Sequence, residues 1–253
     1  MWERRYTPPQ RTPLAGGASR DMVRAMLSAE EWRILATSLG VAGRAVIFSL
    51  PIAIAFAYAL SRPRFPGKSV VDAIAHLPLV LPPVLVGFLL LLAFGRRGPI
   101  GSWLESTFGV QLAFTAEGAA LATAVMAFPL MVRAIRLSFE AADPGLFEAA
   151  AVLRAGPWDR FVSLALPLAW PGVLAGAVTA FAAGLGEFGA VITFASNVPG
   201  ETQTLPLAIY SALQTPNGEA LALRLAAISM TAAVAGLVAA ELIQRWARRR
   251  LEA

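Results

Sequence analysis

Apolar and polar segments alternate along the chain in a pattern typical of a protein that crosses a membrane several times. A helix needs about 20 mostly apolar residues to cross the hydrocarbon core of a bilayer. We predict five such spans, within residues 34–60 and at about 73–94, 118–135, 166–185 and 221–242. The connections 95–117 and 197–218 are predicted to be polar loops. Prolines inside the first three spans fit membrane helices, in which neighbouring groups satisfy the freed carbonyls.

A half-apolar segment, residues 143–167, lies between the third and fourth predicted spans. Asp143 followed by Pro144 is typical of a helix start, since the carboxylate caps free N–H groups and proline lacks one. Gly156 and Pro157 are expected to end this helix and open a second one. The two apolar faces would be formed by Leu146, Phe147, Ala150 and Leu153, and by Trp158, Phe161, Val162 and Ala165. The pattern predicts a bent amphipathic hairpin, although a packed cytoplasmic loop would share it.

Composition supports a membrane protein. Of the 253 residues, 57% are apolar and 15% are charged, and the mean hydropathy is +0.63. A soluble domain would carry about a quarter charged residues. The sequence contains no cysteine, which excludes disulfides and thiolate metal sites. The single histidine, His76, has no second ligand candidate beside it, so no metal site is expected.

A net charge of +5 is one feature of proteins that bind nucleic acid. However, the arginines mostly flank apolar spans, and no nucleic-acid-binding motif accompanies them. We therefore expect a lipid bilayer and no nucleic acid.

Basic residues also predict the orientation. Residues 62–68, 133–160 and the C-terminus are rich in arginine or lysine, whereas residues 197–219 contain neither. The positive-inside rule places the first three in the cytoplasm and the last outside. Five spans then place the N-terminus outside, although the arginines of the N-terminal tail argue against this. We divide the chain into a polar tail (1–31), one membrane domain (32–245) and a basic cytoplasmic tail (246–253).

Several motifs resemble those of a known family. Glu148-Ala149-Ala150, a small-residue break and Leu164-x-Leu166-Pro167 have the spacing of the EAA loop of ABC importer permeases. One departure is Arg154, which stands where that pattern has glycine. The resemblance extends over residues 32–245 and is closest to molybdate permease subunits, through FPGKS (65–69), HLPLVLPPVLVG (76–87), GRRGPIG (95–101), FPLMVRAIR (128–136) and the long string that begins LGEFGAVITFASNVPGETQTLPLAIY (from residue 185).

This resemblance implies an all-α integral membrane protein with the type I ABC importer transmembrane fold, in the cytoplasmic (inner) membrane of a bacterium. The sequence has no phosphate-binding loop, so ATP and Mg are expected on a separate pair of ATP-binding cassette subunits, with no cofactor in this chain. Two permease copies would pair, and an external molybdate-binding protein would deliver the substrate. The residues expected to contact the ATPase subunit are Glu148, Ala149, Ala150, Arg154, Gly156, Leu164, Leu166 and Pro167.

The translocation path is harder to predict. Molybdate is a dianion, so its path should offer N–H and O–H donors instead of carboxylates. Candidates on or after the fourth span are Thr179, Thr193, Ser196 and Asn197, although packed helices use such residues equally often. Small residues recur every four positions, at 172, 176, 180 and 184, and should let another helix approach closely.

The acidic residue near the end of this span, Glu187, lies between Gly186 and Gly189. It is either an interfacial acid or an acceptor that holds a pore helix in one of two states. We do not expect it to bind the substrate, because a carboxylate repels a dianion.

Two alternatives remain at this stage. A sulfate or tungstate permease would share the GEFG region, but GRRGPIG and SNVPGETQTLPLAIY favour molybdate. A membrane-embedded enzyme or channel would need polar groups that converge inside the spans. Only Glu187, Arg224 and a few hydroxyls are available, so the chain is expected to be a transport subunit and not an enzyme.

Overall fold

The computed structural model describes residues 28–61 and 65–251, with side chains up to residue 242 except at 240. Most of the predicted N-terminal tail (1–27) and residues 62–64 lie outside the described residues. The helices are α1 (Ala29–Ser61), α2 (Lys68–Val80), α3 (Pro83–Phe94), α4 (Pro99–Phe108), α5 (Ala116–Glu140), α6 (Pro144–Val152), α7 (Pro157–Arg160), α8 (Leu166–Leu185), α9 (Gly189–Phe194), α10 (Leu205–Leu213) and α11 (Glu219–Leu251). A π-helical turn, Phe161–Ala165, joins α7 to α8.

Four helices within the described residues are long and apolar enough to cross a membrane: α1, α5, the continuous helix Pro157–Leu185 and α11. Four of the predicted spans are therefore confirmed as helices. The prediction of one helix over residues 73–94 is wrong. α2 and α3 meet there at an angle of 115°. Pro82 and Pro83 cause the break, because proline has no N–H and its ring clashes with the preceding helical turn.

The bent pair α2–α3 nevertheless runs the length of the bundle. Asp72 of α2 lies 3.1 Å from Arg136, near the C-terminal end of α5. Leu90 of α3 packs in the same cluster as Ala119, near the N-terminal end of α5. Counted as one broken crossing, the pair brings the number of apolar crossings within the described residues to five.

The centre of the bundle consists of α1, α5 and α8. α1 and α5 run in the same direction, since Arg44 pairs with Glu117 at one end and the rings of Tyr58 and Phe139 lie 5.3 Å apart at the other. α8 runs antiparallel to α5, and its small-residue stripe faces α5 as predicted. A Cβ atom on Gly176 would lie 3.0 Å from the Met131 carbonyl oxygen. Only glycine allows the two backbones to come so close.

Both regions predicted as loops contain helices. Residues 95–117 include α4, which Pro99 opens. Residues 197–218 include α10, which is anchored to α1 because the Leu205 N–H donates to Ser38 Oγ over 2.7 Å. The prediction of polar loops is wrong because each region contains a short apolar run that folds into a helix. The apolar side chains of Leu205 and Leu207 are in fact buried.

The N-terminal end of α1 carries a capping box that the sequence analysis missed. Ser28 N–H donates to Glu31 Oε2 over 2.8 Å, and Glu31 N–H donates to Ser28 Oγ over 3.2 Å. This reciprocal pair satisfies two of the donors that a helix start leaves free. Arg224 of α11 also donates to Glu31, over 2.9 Å. The pattern Ser-x-x-Glu before an apolar run could have predicted this capping box from the sequence.

The close contact of α5 and α8 predicts that Gly172→Ala destabilises the protein. The added Cβ atom would lie 2.9 Å from the Ala134 carbonyl oxygen, a backbone atom that cannot move alone. Overpacking of this kind costs about 1–3 kcal/mol. Gly43→Ala on α1 is the matched control, since its Cβ atom meets no described atom within 4 Å. Thermal unfolding in detergent should show a lower Tm for Gly172→Ala alone; equal Tm values would contradict the close approach.

Candidate coupling surface and helix break

The predicted start of the hairpin is confirmed. Asp143 is the N-cap of α6, its Oδ1 atom accepts the Gly145 N–H over 2.8 Å, and Pro144 occupies the first turn. None of the residues of α6, all of which the structure describes, is buried. The helix therefore projects from the end of the bundle at which α5 finishes.

The predicted end of α6 at Gly156 is wrong. The helix ends at Val152, and Arg154 takes the left-handed conformation with φ of 58°. Arg154 N–H donates to the Ala151 carbonyl and Ala155 N–H to the Ala150 carbonyl, each over 3.0 Å. These two bonds form a Schellman motif, whose left-handed position is usually glycine. Gly156 has φ of −66° and carries no such requirement.

The early end of α6 also changes its apolar face. Phe147 packs against the bundle as predicted, and Ala150 is half-buried. In contrast, Leu153 is 82% exposed and Val152 is 83% exposed. Leu153 was predicted to continue the buried stripe, which is incorrect because it lies beyond the last helical residue.

The second half of the hairpin is not a separate helix. It continues from Pro157 through the π turn into α8. Ala165 is buried as predicted, but Trp158 is 75% exposed. Together, Leu146, Val152, Leu153 and Trp158 form an exposed apolar area that we name the coupling surface.

The residues predicted to contact an ATPase subunit surround the coupling surface. Those that are exposed are Glu148, Ala149, Arg154, Gly156 and Pro167, and those that are half-buried are Ala150, Leu164 and Leu166. The hairpin is held to the bundle by aromatic rings. The Tyr58 ring of α1 lies 4.6 Å from that of Phe161 and 5.3 Å from that of Phe139. A force on the hairpin would therefore reach α1, α5 and α8 directly.

An ion-pair cluster that the sequence did not reveal lies near this end. Arg136 of α5 donates to Glu140 Oε1 over 2.7 Å and to Asp72 Oδ1 over 3.1 Å. His76 Nδ1 lies 2.8 Å from the Asp72 carbonyl oxygen. The cluster joins α2 to α5 next to the hairpin.

At the other end of α8 the helix breaks at Gly186, Glu187 and Phe188. Glu187 is half-buried, and its Oε1 atom accepts the Ala190 N–H over 2.9 Å at the start of α9. A Cβ atom on Gly189 would lie 2.7 Å from Pro83 Cβ. α9 therefore packs directly on the start of α3, and Glu187 stabilises the turn between α8 and α9.

The predicted oxyanion donors are mostly occupied. Thr179 donates to the Ala175 carbonyl and Thr193 to the Gly189 carbonyl, each over 2.8 Å. Asn197 Nδ2 donates to Ser211 Oγ over 2.6 Å. Ser196 adopts a positive φ of 64° at the turn after α9. The structure thus brings Gly186, Glu187, Gly189, Thr193, Ser196 and Asn197 into one segment, while Thr179 lies about two turns earlier on α8.

Exposed faces of the bundle differ in residue size. On α8, Thr179, Ala183 and Gly186 form an exposed stripe beside the buried one. By contrast, the exposed apolar side chains of α3 are large: Val84, Leu85, Phe88, Leu89 and Leu92. α11 exposes large side chains (Met230, Val234, Leu237, Val238 and Leu242) together with small ones (Ala227, Thr231, Ala235 and Ala239). Large apolar side chains suit lipid, whereas small residues suit close protein contact or a water-filled path.

Comparisons with known proteins agree with this architecture. Residues 49–252 match the family described as binding-protein-dependent transport system inner membrane component. The chain is 53% identical over 225 residues to the molybdenum transport system permease protein ModB of Escherichia coli (strain K12), covering 89% of this chain and 98% of that protein. It is 50% identical over 215 residues to ModB of Haemophilus influenzae, covering 85% and 92%.

Solved structures show the same fold. A bacterial alginate ABC transporter in complex with an alginate pentasaccharide-bound periplasmic protein contains a chain that matches with a TM-score of 0.70. The match covers 90% of this chain and 81% of that chain at 16% identity. At this identity the similarity concerns the fold alone.

The Schellman motif predicts that Arg154→Gly stabilises the hairpin. A non-glycine residue in the left-handed region costs on the order of 1 kcal/mol, which glycine avoids. Arg154→Val should be destabilising, since β-branched side chains resist positive φ. Gly156→Ala is the control, because its Cβ atom meets no described atom within 4 Å. Among the three variants, Arg154→Gly should have the highest Tm in detergent and Arg154→Val the lowest. If Gly156→Ala has the lowest Tm instead, the left-handed turn lies at Gly156 and not at Arg154.

Proposed function

The chain belongs to the family of binding-protein-dependent transport system inner membrane components, and we propose that it forms the translocation path for molybdate in an ATP-driven importer. The proposed substrate rests on the 53% identity to a molybdenum transport permease, which extends over 98% of that relative. The chain is a transport subunit, and we place ATP and Mg on a partner subunit.

The coupling surface is where we place the ATPase contact. It is apolar and exposed at an end of the bundle whose nearby charges include Arg133, Arg136 and Lys68. An exposed apolar area of this kind typically marks a protein contact. Because Pro157–Leu185 is one helix, movement of the hairpin would shift the break at Gly186. We assign the contact to Glu148, Ala149, Ala150, Arg154, Gly156, Leu164, Leu166 and Pro167.

The exposed stripe formed by Thr179, Ala183 and Gly186 is where we place the path. A second copy of the chain would supply the opposite wall, so that Thr179 and Gly186 of both copies face a shared space. Glu187, Gly189, Thr193, Ser196 and Asn197 would shape its outer part. Glu187 would act structurally, since its carboxylate already accepts the Ala190 N–H.

The proposed orientation follows from the charges. Lys68 and the basic segment 133–160 lie at the same end of the bundle, which we place in the cytoplasm of a bacterium together with the C-terminus. The start of α1 and residues 197–219 lie at the other end. That end would receive an external molybdate-binding protein, and residues 32–245 would form the single membrane domain between the two tails.

Reconstitution tests the function directly. The chain is purified with its neighbouring ATPase and binding-protein subunits and placed in liposomes. We expect ATPase activity and uptake to be stimulated by molybdate more than by sulfate, with tungstate close to molybdate. Stimulation by sulfate alone would make the protein a sulfate permease, and a lack of stimulation by any oxyanion would contradict the proposal.

A docking prediction follows from the coupling surface. Leu153→Asp places a charge in the proposed contact, but the side chain is 82% exposed, so folding should be unaffected. Loss of a central apolar contact in an interface typically costs 2 kcal/mol or more, about a thirtyfold loss of affinity. Copurification of the ATPase subunit should fall accordingly.

Val110→Asp is the matched control, since Val110 is also exposed but lies at the opposite end of the bundle. It should retain the ATPase subunit. Equal retention by both variants would show that the coupling surface does not bind the ATPase.

A further inference from the structure

We propose that Tyr210 and Phe188 form an outer gate of the translocation path, in which the Tyr210 hydroxyl donates to the passing tetrahedral oxyanion. The proposal rests on the proposed function, because it takes the exposed stripe of Thr179, Ala183 and Gly186 as the wall of the path. It adds a substrate contact and a constriction that the sequence motifs do not assign.

Phe188 lies at the break between α8 and α9. The exposed stripe that begins at Thr179 ends at Gly186, two residues earlier. Phe188 is half-buried, and it precedes Gly189, which packs against Pro83 of α3. A large ring therefore follows directly where the small side chains stop, at the junction of two broken helices.

Tyr210 approaches Phe188 from α10. The two ring centroids lie 5.2 Å apart, with 56° between the ring planes. α10 is fixed on both sides of Tyr210, since the Leu205 N–H donates to Ser38 Oγ and Ser211 Oγ accepts from Asn197. Leu207, Ala208 and Ala212 are buried, so Tyr210 projects from a helix that is held in place.

The hydroxyl of Tyr210 is available to a ligand. The residue is 46% exposed, and its hydroxyl has no hydrogen-bond partner among the described residues. Thr179 and Thr193, two other hydroxyls near the path, already donate to backbone carbonyls of their own helices. A dianion stripped of water needs donors and binds strongly to them. Tyr210 offers such a donor on an exposed side chain at the end of the exposed stripe.

The two rings also give the gate its steric function. The contact between two aromatic rings of this kind contributes only modestly beyond burial, so it is weak enough to break during a transport cycle. Because Phe188 is attached to the end of α8, a shift of that helix would move its ring away from Tyr210. The gate would then open in response to movement of the coupling surface.

Tyr210→Phe tests the hydroxyl and keeps the ring. The complete complex in liposomes is supplied with loaded binding protein, and ions imported per ATP hydrolysed are measured for molybdate and for sulfate. Loss of a hydrogen bond to a charged group should lower this ratio on the order of tenfold for the transported oxyanion. Trp103→Phe is the control, since Trp103 is also exposed and forms a ring pair with Phe108, 5.5 Å apart.

Phe188→Ala tests the constriction. Liposomes preloaded with molybdate should lose it several-fold faster without ATP than liposomes with the wild-type complex, because the gate no longer closes. Assembly is checked by the copurified subunits, and Phe188→Leu replaces the alanine variant if assembly fails.

The outcomes separate the two proposals. If the wild type imports neither oxyanion, the proposed function fails. If the wild type imports one and Tyr210→Phe matches it in ions per ATP, Tyr210 is only an aromatic residue of the membrane interface and the gate is wrong. Unchanged leakage in both Phe188 variants would also overturn it.

Discussion

The close approach of α8 to α5 is the contact on which the rest of the structure depends. Gly172, Gly176 and Gly184 bring the backbones together, and α1 fills the remaining side through Ala42. Without water in the bilayer, helices associate mainly through such packing and not through hydrophobic burial. α8 is therefore held laterally along its length. It is also continuous from the hairpin to the break at Gly186, so it can transmit movement along its axis.

Two broken helices meet where α8 stops. The break in α2–α3 occurs at Pro82 and the break in α8–α9 at Gly186, and the two shorter halves pack together through Gly189 and Pro83. Backbone groups freed by a break are tolerated inside a membrane only next to protein or a water-filled space. The coincidence of both breaks favours a path at this level of the bundle. The prolines and glycines at these breaks would weaken a continuous membrane helix. Here they determine where the candidate gate of Phe188 and Tyr210 lies.

Much of the fold could be predicted because hydropathy is a local property. Helices α1, α5, α8 and α11 follow from apolar runs, and the cap at Asp143 follows from its own dipeptide. The break at Pro82 could not be located, because Pro51, Pro78 and Pro129 lie inside continuous helices of the same protein. The end of α6 was misplaced at Gly156 for a related reason. Glycine is the usual residue at a helix end, so the sequence predicted the end at Gly156, two residues later. The hydrogen bonds of the helix end require the left-handed residue at Arg154.

Residue size separates the exposed faces where hydropathy cannot. Leu, Val and Ala all count as apolar, so hydropathy marks α3, α8 and α11 as apolar helices but does not show which face of each meets lipid. Only the structure shows that Thr179, Ala183 and Gly186 are exposed on the same helix that buries its glycines against α5. Lipid chains gain dispersion contacts from large side chains and few from small ones. On α11 large and small exposed residues alternate, whereas the second half of α8 and its C-cap expose only small ones. That half of α8 is therefore poorly suited to lipid, and this difference favours α8 as the wall of the path.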